Sequence, residues 1–256
     1  MIKKKSLQEI PKLESPIALV GMPGIAMVGK LAVMNIVSSL HAIESSEVYY
    51  EDLPPHVIID EIGEMKLPKV TIFYIKNSEM SNDLLILTSD YQPLSSAGIY
   101  QLSDYVCGLC KKMEVINVIS TGAFVPESLK EPYRRVYVSG TSKEFIDFFL
   151  ESKTGKVVLM KGGYISGANG IIPAWSKVHY DIDGACLLAD ALPMHALDPT
   201  ASKAIVEVLN ERYNFKADIT ELDKRIEEVE FVSSEIKRKL EEEKAKKDMD
   251  TRPYIS

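Results

Sequence analysis

From residue 17 to about residue 195 the chain keeps switching between two patterns. Short runs of consecutive apolar residues alternate with longer runs whose apolar residues recur at helical spacing. A run such as Ile17-Ala-Leu-Val20 has no polar residue on either side, so both of its faces must be covered. Helices do this for the central strands of an α/β sheet. Further strands are read at 56–60 (HVIID), 70–75 (VTIFYI), 83–89 (DLLILTS), 115–120 (VINVIS) and 135–140 (RVYVSG), and 184–192 (GACLLADAL) is a further apolar segment. Helices are read at 24–40, 93–112, 141–151 and 199–214. Residues 156–175 read as a strand running into a glycine-rich turn. The expected architecture is an α/β three-layer sandwich with a mostly parallel central sheet, plus C-terminal helices.

Three segments are expected: an α/β core over 1–214, a charged amphipathic helix over 215–247 and a tail over 248–256. In that helix Ile219, Leu222, Ile226, Val229, Ile236 and Leu240 follow a 3-4-3-7-4 spacing, with Ser233 in the vacant slot. The pattern is heptad-like and suits either a helix lying on its own core or one that projects and joins other copies.

Composition removes several classes of function. A net charge of −7, with no basic stripe interleaved with aromatics, argues against nucleic acid as a partner. No apolar run reaches the roughly 20 residues of a membrane span, and the basic N-terminus lacks the apolar stretch of a signal peptide. Three cysteines cannot all pair, which fits a cytoplasmic protein better than a secreted one.

The chemistry candidates are few. Gly24-Ile-Ala-Met-Val-Gly29-Lys30 has the spacing of a phosphate-binding loop, yet Leu31 stands where a magnesium-binding Ser or Thr is needed. The preferred reading is structural: Gly21 and Gly24 make a tight strand-to-helix turn stiffened by Pro23, and Gly29 lets the helix approach the sheet. Cys107 and Cys110 have redox-motif spacing, but they fall late in a helical run, where the dipole does not favour a thiolate. They are read as buried small residues. His179, Asp181 and Asp183 alternate, which on a strand would put them on one face as a cation site or a solvated edge. No metal-ligand spacing and no serine-hydrolase elbow occurs, so neither metal nor cofactor is expected. The stretch from Lys161 to Pro173 concentrates Gly162, Gly163, Gly167 and Asn169, which can line a pocket or build a packed turn.

Taken in order, GMPGIAMVGKLAV, DLPPHVIIDEIG, LILTSDYQP, VISTGAFVPE, RRVYVSGTSKEF, KGGYISGANGIIP and DALPMHALDPTASKAIVEVL resemble the archaeal branch of the proteasome assembly chaperone family. That group is related to the eukaryotic proteasome assembly chaperone two, and the resemblance spans most of residues 15–230. It implies a fold like that of purine nucleoside phosphorylases without established catalysis. It also implies homo-oligomers, and action on proteasome α-subunits or the core particle as assembly chaperone or activator. The family's docking tail ends hydrophobic–Tyr–any residue. Here Pro253, Tyr254, Ile255 and Ser256 place the tyrosine third from the end rather than second. A rival reading is an enzyme or binding protein for a nucleoside-like or phosphorylated small molecule, seated between the glycine-rich loops. A plain scaffold module with other partners is a third.

Overall fold

The computed structural model describes residues 1–250 apart from 78, 128, 130–133 and 193–195, with side chains to residue 239 apart from 237. In chain order its elements are β1 (Ile2–Ser6), β2 (Ile17–Gly21), α1 (Val28–Ser39), β3 (Ile43–Tyr50), β4 (Ile58–Ile59), β5 (Met65–Lys66), β6 (Val70–Ile75), β7 (Leu84–Ser89) and α2 (Ser96–Lys112). There follow β8 (Asn117–Phe124), β9 (Val136–Gly140), α3 (Lys143–Leu150), β10 (Val157–Leu159), α4 (Ala168–Tyr180), β11 (Asp183–Asp190), α5 (Pro199–Tyr213) and α6 (Thr220–Asp250).

Among the described residues nine strands form one sheet in the order β1-β3-β6-β7-β2-β8-β11-β9-β10, and β4 pairs with β5 as a separate hairpin. The four central strands, β7-β2-β8-β11, are mutually parallel. The β1, β3 and β6 side is antiparallel, as is the join of β11 to β9. The sheet is therefore mixed, with its parallel character confined to the centre and to the β9–β10 pair.

Alternation along the strands sorts their side chains into two cores, and this makes the sandwich three-layered. Ile17, Leu19, Leu84 and Ile86 pack with α1, α3 and α5 on one face. Ala18, Val20, Leu85 and Leu87 pack with α2 and α4 on the other. Local chemistry starts the helices, α2 at Ser96 rather than at Pro93. Ser95 accepts from Gly98 N at 2.9 Å to cap α2, and Ser142 accepts from Phe145 N at 3.3 Å to cap α3. Asp198 accepts from Ala201 N at 2.9 Å ahead of Pro199 to start α5.

Several sequence expectations change. The strand read at 56–60 shrinks to β4, one arm of the small hairpin. Strands β1 and β3 were not expected from their Lys-, Ser- and Glu-rich sequences. The glycine-rich turn is followed by a helix, α4, that runs through Gly170 and Pro173. Pro173 has no N–H to give the Asn169 carbonyl one turn back, and the Ser120 hydroxyl of β8 donates to that carbonyl instead.

The stretch read as a strand carrying His179, Asp181 and Asp183 is split. His179 lies in the last turn of α4, Asp181 is its left-handed cap, and only Asp183 belongs to β11.

Candidate functional site

The central parallel strands deliver two glycine-rich segments to one place. After β2 the chain turns through Met22, Pro23 and Gly24, then a 3-10 turn, into α1; Ala26 and Met27 hold left-handed backbone there, with φ of 48° and 55°. The α5 start steadies this turn: Asp198 N donates to Ala26 O at 3.0 Å, and the Ser202 hydroxyl donates to Val28 O at 3.1 Å.

The second segment is fastened to the first. The buried Asn169 side chain accepts from Met22 N and donates to Met22 O, both at 3.0 Å. Gln92 donates to Pro23 O at 2.6 Å and accepts from Ala168 N at 2.9 Å. Thr88 donates to Gly21 O at 2.7 Å, and Thr121 donates to Val20 O and Gly29 O at 3.2 and 3.0 Å.

The junction therefore spends its polar side chains on its own backbone. A Cβ on Gly29 would press on the Thr121 carbonyl, 2.6 Å from its carbon, so α1 and β8 touch through bare backbone at this position. A Cβ on Gly21 would meet Gly29 O at 2.5 Å, whereas Gly24 is extended and faces open space. Lys30, the lysine of the phosphate-loop spacing, lies 3.5 Å from Asp90, and Leu31 packs on the core. Gly162 and Gly163 belong to an exposed turn that leaves Tyr164 fully in solvent, and Gly167 (φ 79°) leads into α4 against Gln92.

The remaining chemistry candidates are occupied or inert. Cys107 and Cys110 are buried on α2; burial pushes the Cys107 thiol up to about 12 and raises Cys110 as well. Cys186 is buried in β11, and burial raises it to about 11. Lys177 pairs with Asp181 at 2.9 Å and Asp183 at 3.3 Å, while His179 stacks on Trp175 with ring centroids 3.9 Å apart. Among the described residues no group of three or more His, Cys, Asp and Glu could hold a metal ion. No helix of the described residues is long and apolar enough to cross a membrane.

Helix α6 begins on the core and then leaves it. Leu222 is buried against α5, with Ile219 packed beside it, and Ile226 and Val229 are half-buried. Beyond them Phe231, Val232 and Ile236 are exposed. Val232, beside Ser233, continues the apolar face, so its exposed part runs from Val232 to Ile236. The side chain of Leu240 and the tail residues Pro253, Tyr254, Ile255 and Ser256 lie outside the described residues.

The β4–β5 hairpin is a feature that sequence reasoning did not single out. It carries Val57, Ile59, Ile62, Met65 and Leu67 in solvent, Ile62 at its apex being 81% exposed. Its signal was available as apolar residues placed either side of the turn formers Asp60 and Gly63. The stem borders an apolar groove of about 640 Å³, lined among others by Lys3, Tyr49, Leu53, Pro55, His56 and Pro68.

A self-bonded glycine junction, a three-layer α/β sandwich and a helix that leaves the core together define the scaffold. The chain belongs to the PAC2 family, whose model matches residues 18–237. It is 28% identical over 242 residues to an uncharacterized protein of Methanocaldococcus jannaschii, covering 94% of this chain and 90% of that one. Its fold is similar to that of Pyrococcus furiosus PbaB, described as an archaeal proteasome activator, with a TM-score of 0.85 at 26% identity over 92% of this chain and 98% of that one. It is also similar in fold to Pyrococcus furiosus PbaA, described as an archaeal homolog of proteasome-assembly chaperone, with a TM-score of 0.75 at 22% identity over 96% and 97%.

Proposed function

We propose that this chain serves the proteasome as an assembly chaperone or activator, binding α-subunits or the α-ring without catalysing a reaction. The observation that carries the reading is PAC2 membership together with likeness to PbaB over 92% of the chain. The glycine junction supports it: Asn169, Gln92, Thr88 and Thr121 are all engaged in holding backbone groups of the two loops.

Helix α6 and the residues after it give the protein its reach. The helix keeps Leu222 on the core and exposes Phe231, Val232 and Ile236, which suit packing against the same helix of other copies in a homo-oligomer. Pro253, Tyr254, Ile255 and Ser256 then act as a tethered hook on the α-ring. Several hooks per oligomer raise a weak individual contact by effective concentration. The α/β core, helix α6 and the residues after it work as body, arm and hook of a cytoplasmic protein.

The test is binding of the purified chain to an archaeal proteasome core particle and to free α-subunits, comparing the full chain with one lacking residues 253–256. Tail-dependent binding with faster peptide hydrolysis identifies an activator. Tail-independent binding to free α-subunits identifies an assembly chaperone. Binding to neither overturns the proposal.

A further inference from the structure

The β4–β5 hairpin is a preorganised arm. Asp60 accepts from Ile62 N and Glu64 N at 3.1 and 2.9 Å, its backbone closes the turn with Gly63 N and Glu64 O, and Lys66 pairs with its carboxylate at 2.6 Å. The Lys66 bond and the turn N–H groups hold the Asp60 carboxyl below its ordinary value. A turn built this firmly nonetheless presents Ile59, Ile62 and Met65 to water. Two strands of two residues each cannot bury them, and a contiguous apolar surface of this kind marks an interface.

What fits the arm lies on the same patch. The groove beside the stem is apolar, with a volume of about 640 Å³. The stem residues Val57 and Leu67 form part of the groove wall, so arm and groove lie on one patch. The charges match as well. Glu61, beside the apex, pairs with no cation among the described residues, and Lys3, on the groove wall, pairs with no anion among them. A two-fold contact requires one patch to carry both complementary features, and this patch carries an apolar arm with a free carboxylate next to an apolar groove with a free ammonium.

We propose that the hairpin is an exchange arm for a second copy of this chain: each copy seats Ile59, Ile62 and Met65 in the groove of the other, with Glu61 against the partner's Lys3. The contact is separate from the α6 face and does not depend on the proteasome reading, though it gives the proposed self-association a second surface.

The experiment is sedimentation equilibrium of the full chain across a concentration series, with circular dichroism to verify folding. Ile62→Asp combined with Met65→Asp alters only exposed positions. It is expected to halve the assembly mass, or to weaken association about 100-fold or more, since a charge replaces buried apolar surface at the centre of the contact. Glu61→Lys and Lys3→Glu each weaken association about threefold to tenfold by placing like charges together, and the double reversal restores it. Val232→Asp with Ile236→Asp on α6 leaves the hairpin contact in place. A monomeric wild type overturns the proposal. So does a hairpin variant whose stoichiometry and affinity equal the wild type's. Charge reversals that do not compensate each other overturn the placement of Glu61 against Lys3.

Discussion

Replacing Asn169 by Ala tests whether the glycine junction is a fastening or a ligand pocket. The side chain makes two buried hydrogen bonds, accepting from Met22 N and donating to Met22 O, both at 3.0 Å. Each such bond contributes about 0.5–1.5 kcal/mol net, and a buried backbone group left without a partner costs about 1–3 kcal/mol. Met22 is fully buried, so water does not simply replace the lost amide. At the low end of both ranges, the two bonds and the two orphaned groups together give a loss of about 3 kcal/mol. For a chain of this size 1 kcal/mol moves Tm by about 2–4 °C, so the expected drop is about 6–12 °C. Urea unfolding followed by circular dichroism measures it. Asn169→Asp should fare no better, because a carboxylate cannot donate to Met22 O and would face it with like partial charge. A loss below about 0.5 kcal/mol for Asn169→Ala would refute the reasoning, since a residue that holds no other part of the chain is removed at little cost.

Two further outcomes follow from the same geometry. Gly29→Ala, in the first turn of α1, should destabilise by about 1–3 kcal/mol in chemical denaturation, because the new methyl meets the Thr121 carbonyl; a neutral or stabilising result would show that α1 can move off β8. On the β3 face, Glu47 is held at about 2, below its ordinary 4.5, chiefly by its hydrogen bond to Lys69 and then by Lys5, against the opposing effect of burial. A carboxylate with a depressed folded-state value stabilises the fold above its unfolded value and loses that contribution as pH falls through the folded one. With Lys5 largely in solvent and its share screened, about 1–2 kcal/mol should disappear between pH 4.5 and pH 2. Glu47→Gln should flatten the acid limb of a stability-against-pH curve over that interval, and an unchanged limb would contradict the pairing.

The readable parts of this fold were those whose neighbours the pattern itself implies. Ile17–Gly21 and Leu84–Ser89 are apolar on both sides because helices cover both sides, so uninterrupted hydrophobicity was enough to place them at the sheet centre. The helices at α2, α3 and α5 were legible from their apolar spacing, and Ser95, Ser142 and Asp198 fix their starts by bonding to groups only three residues away. The edge escaped for the opposite reason. Lys3, Lys4 and Lys5 on β1 face water, and Ser45 and Ser46 of β3 are buried polar residues in a strand whose apolar content is low. Helix α4 escaped because Gly170 and Pro173 oppose helix locally, and only a hydroxyl from β8, distant in sequence, satisfies the carbonyl that the proline leaves free.

Thus the α/β sandwich, its parallel centre and the departure in character at α6 were determined by sequence alone, through periodicity and capping, which act over a few residues. The use of each glycine-rich segment, the exposure of Ile62 on its arm and the point at which α6 leaves the core were decided only by tertiary structure. Asn169 meets Met22 across 147 residues, and a one-dimensional pattern carries no record of which distant backbone a side chain will reach.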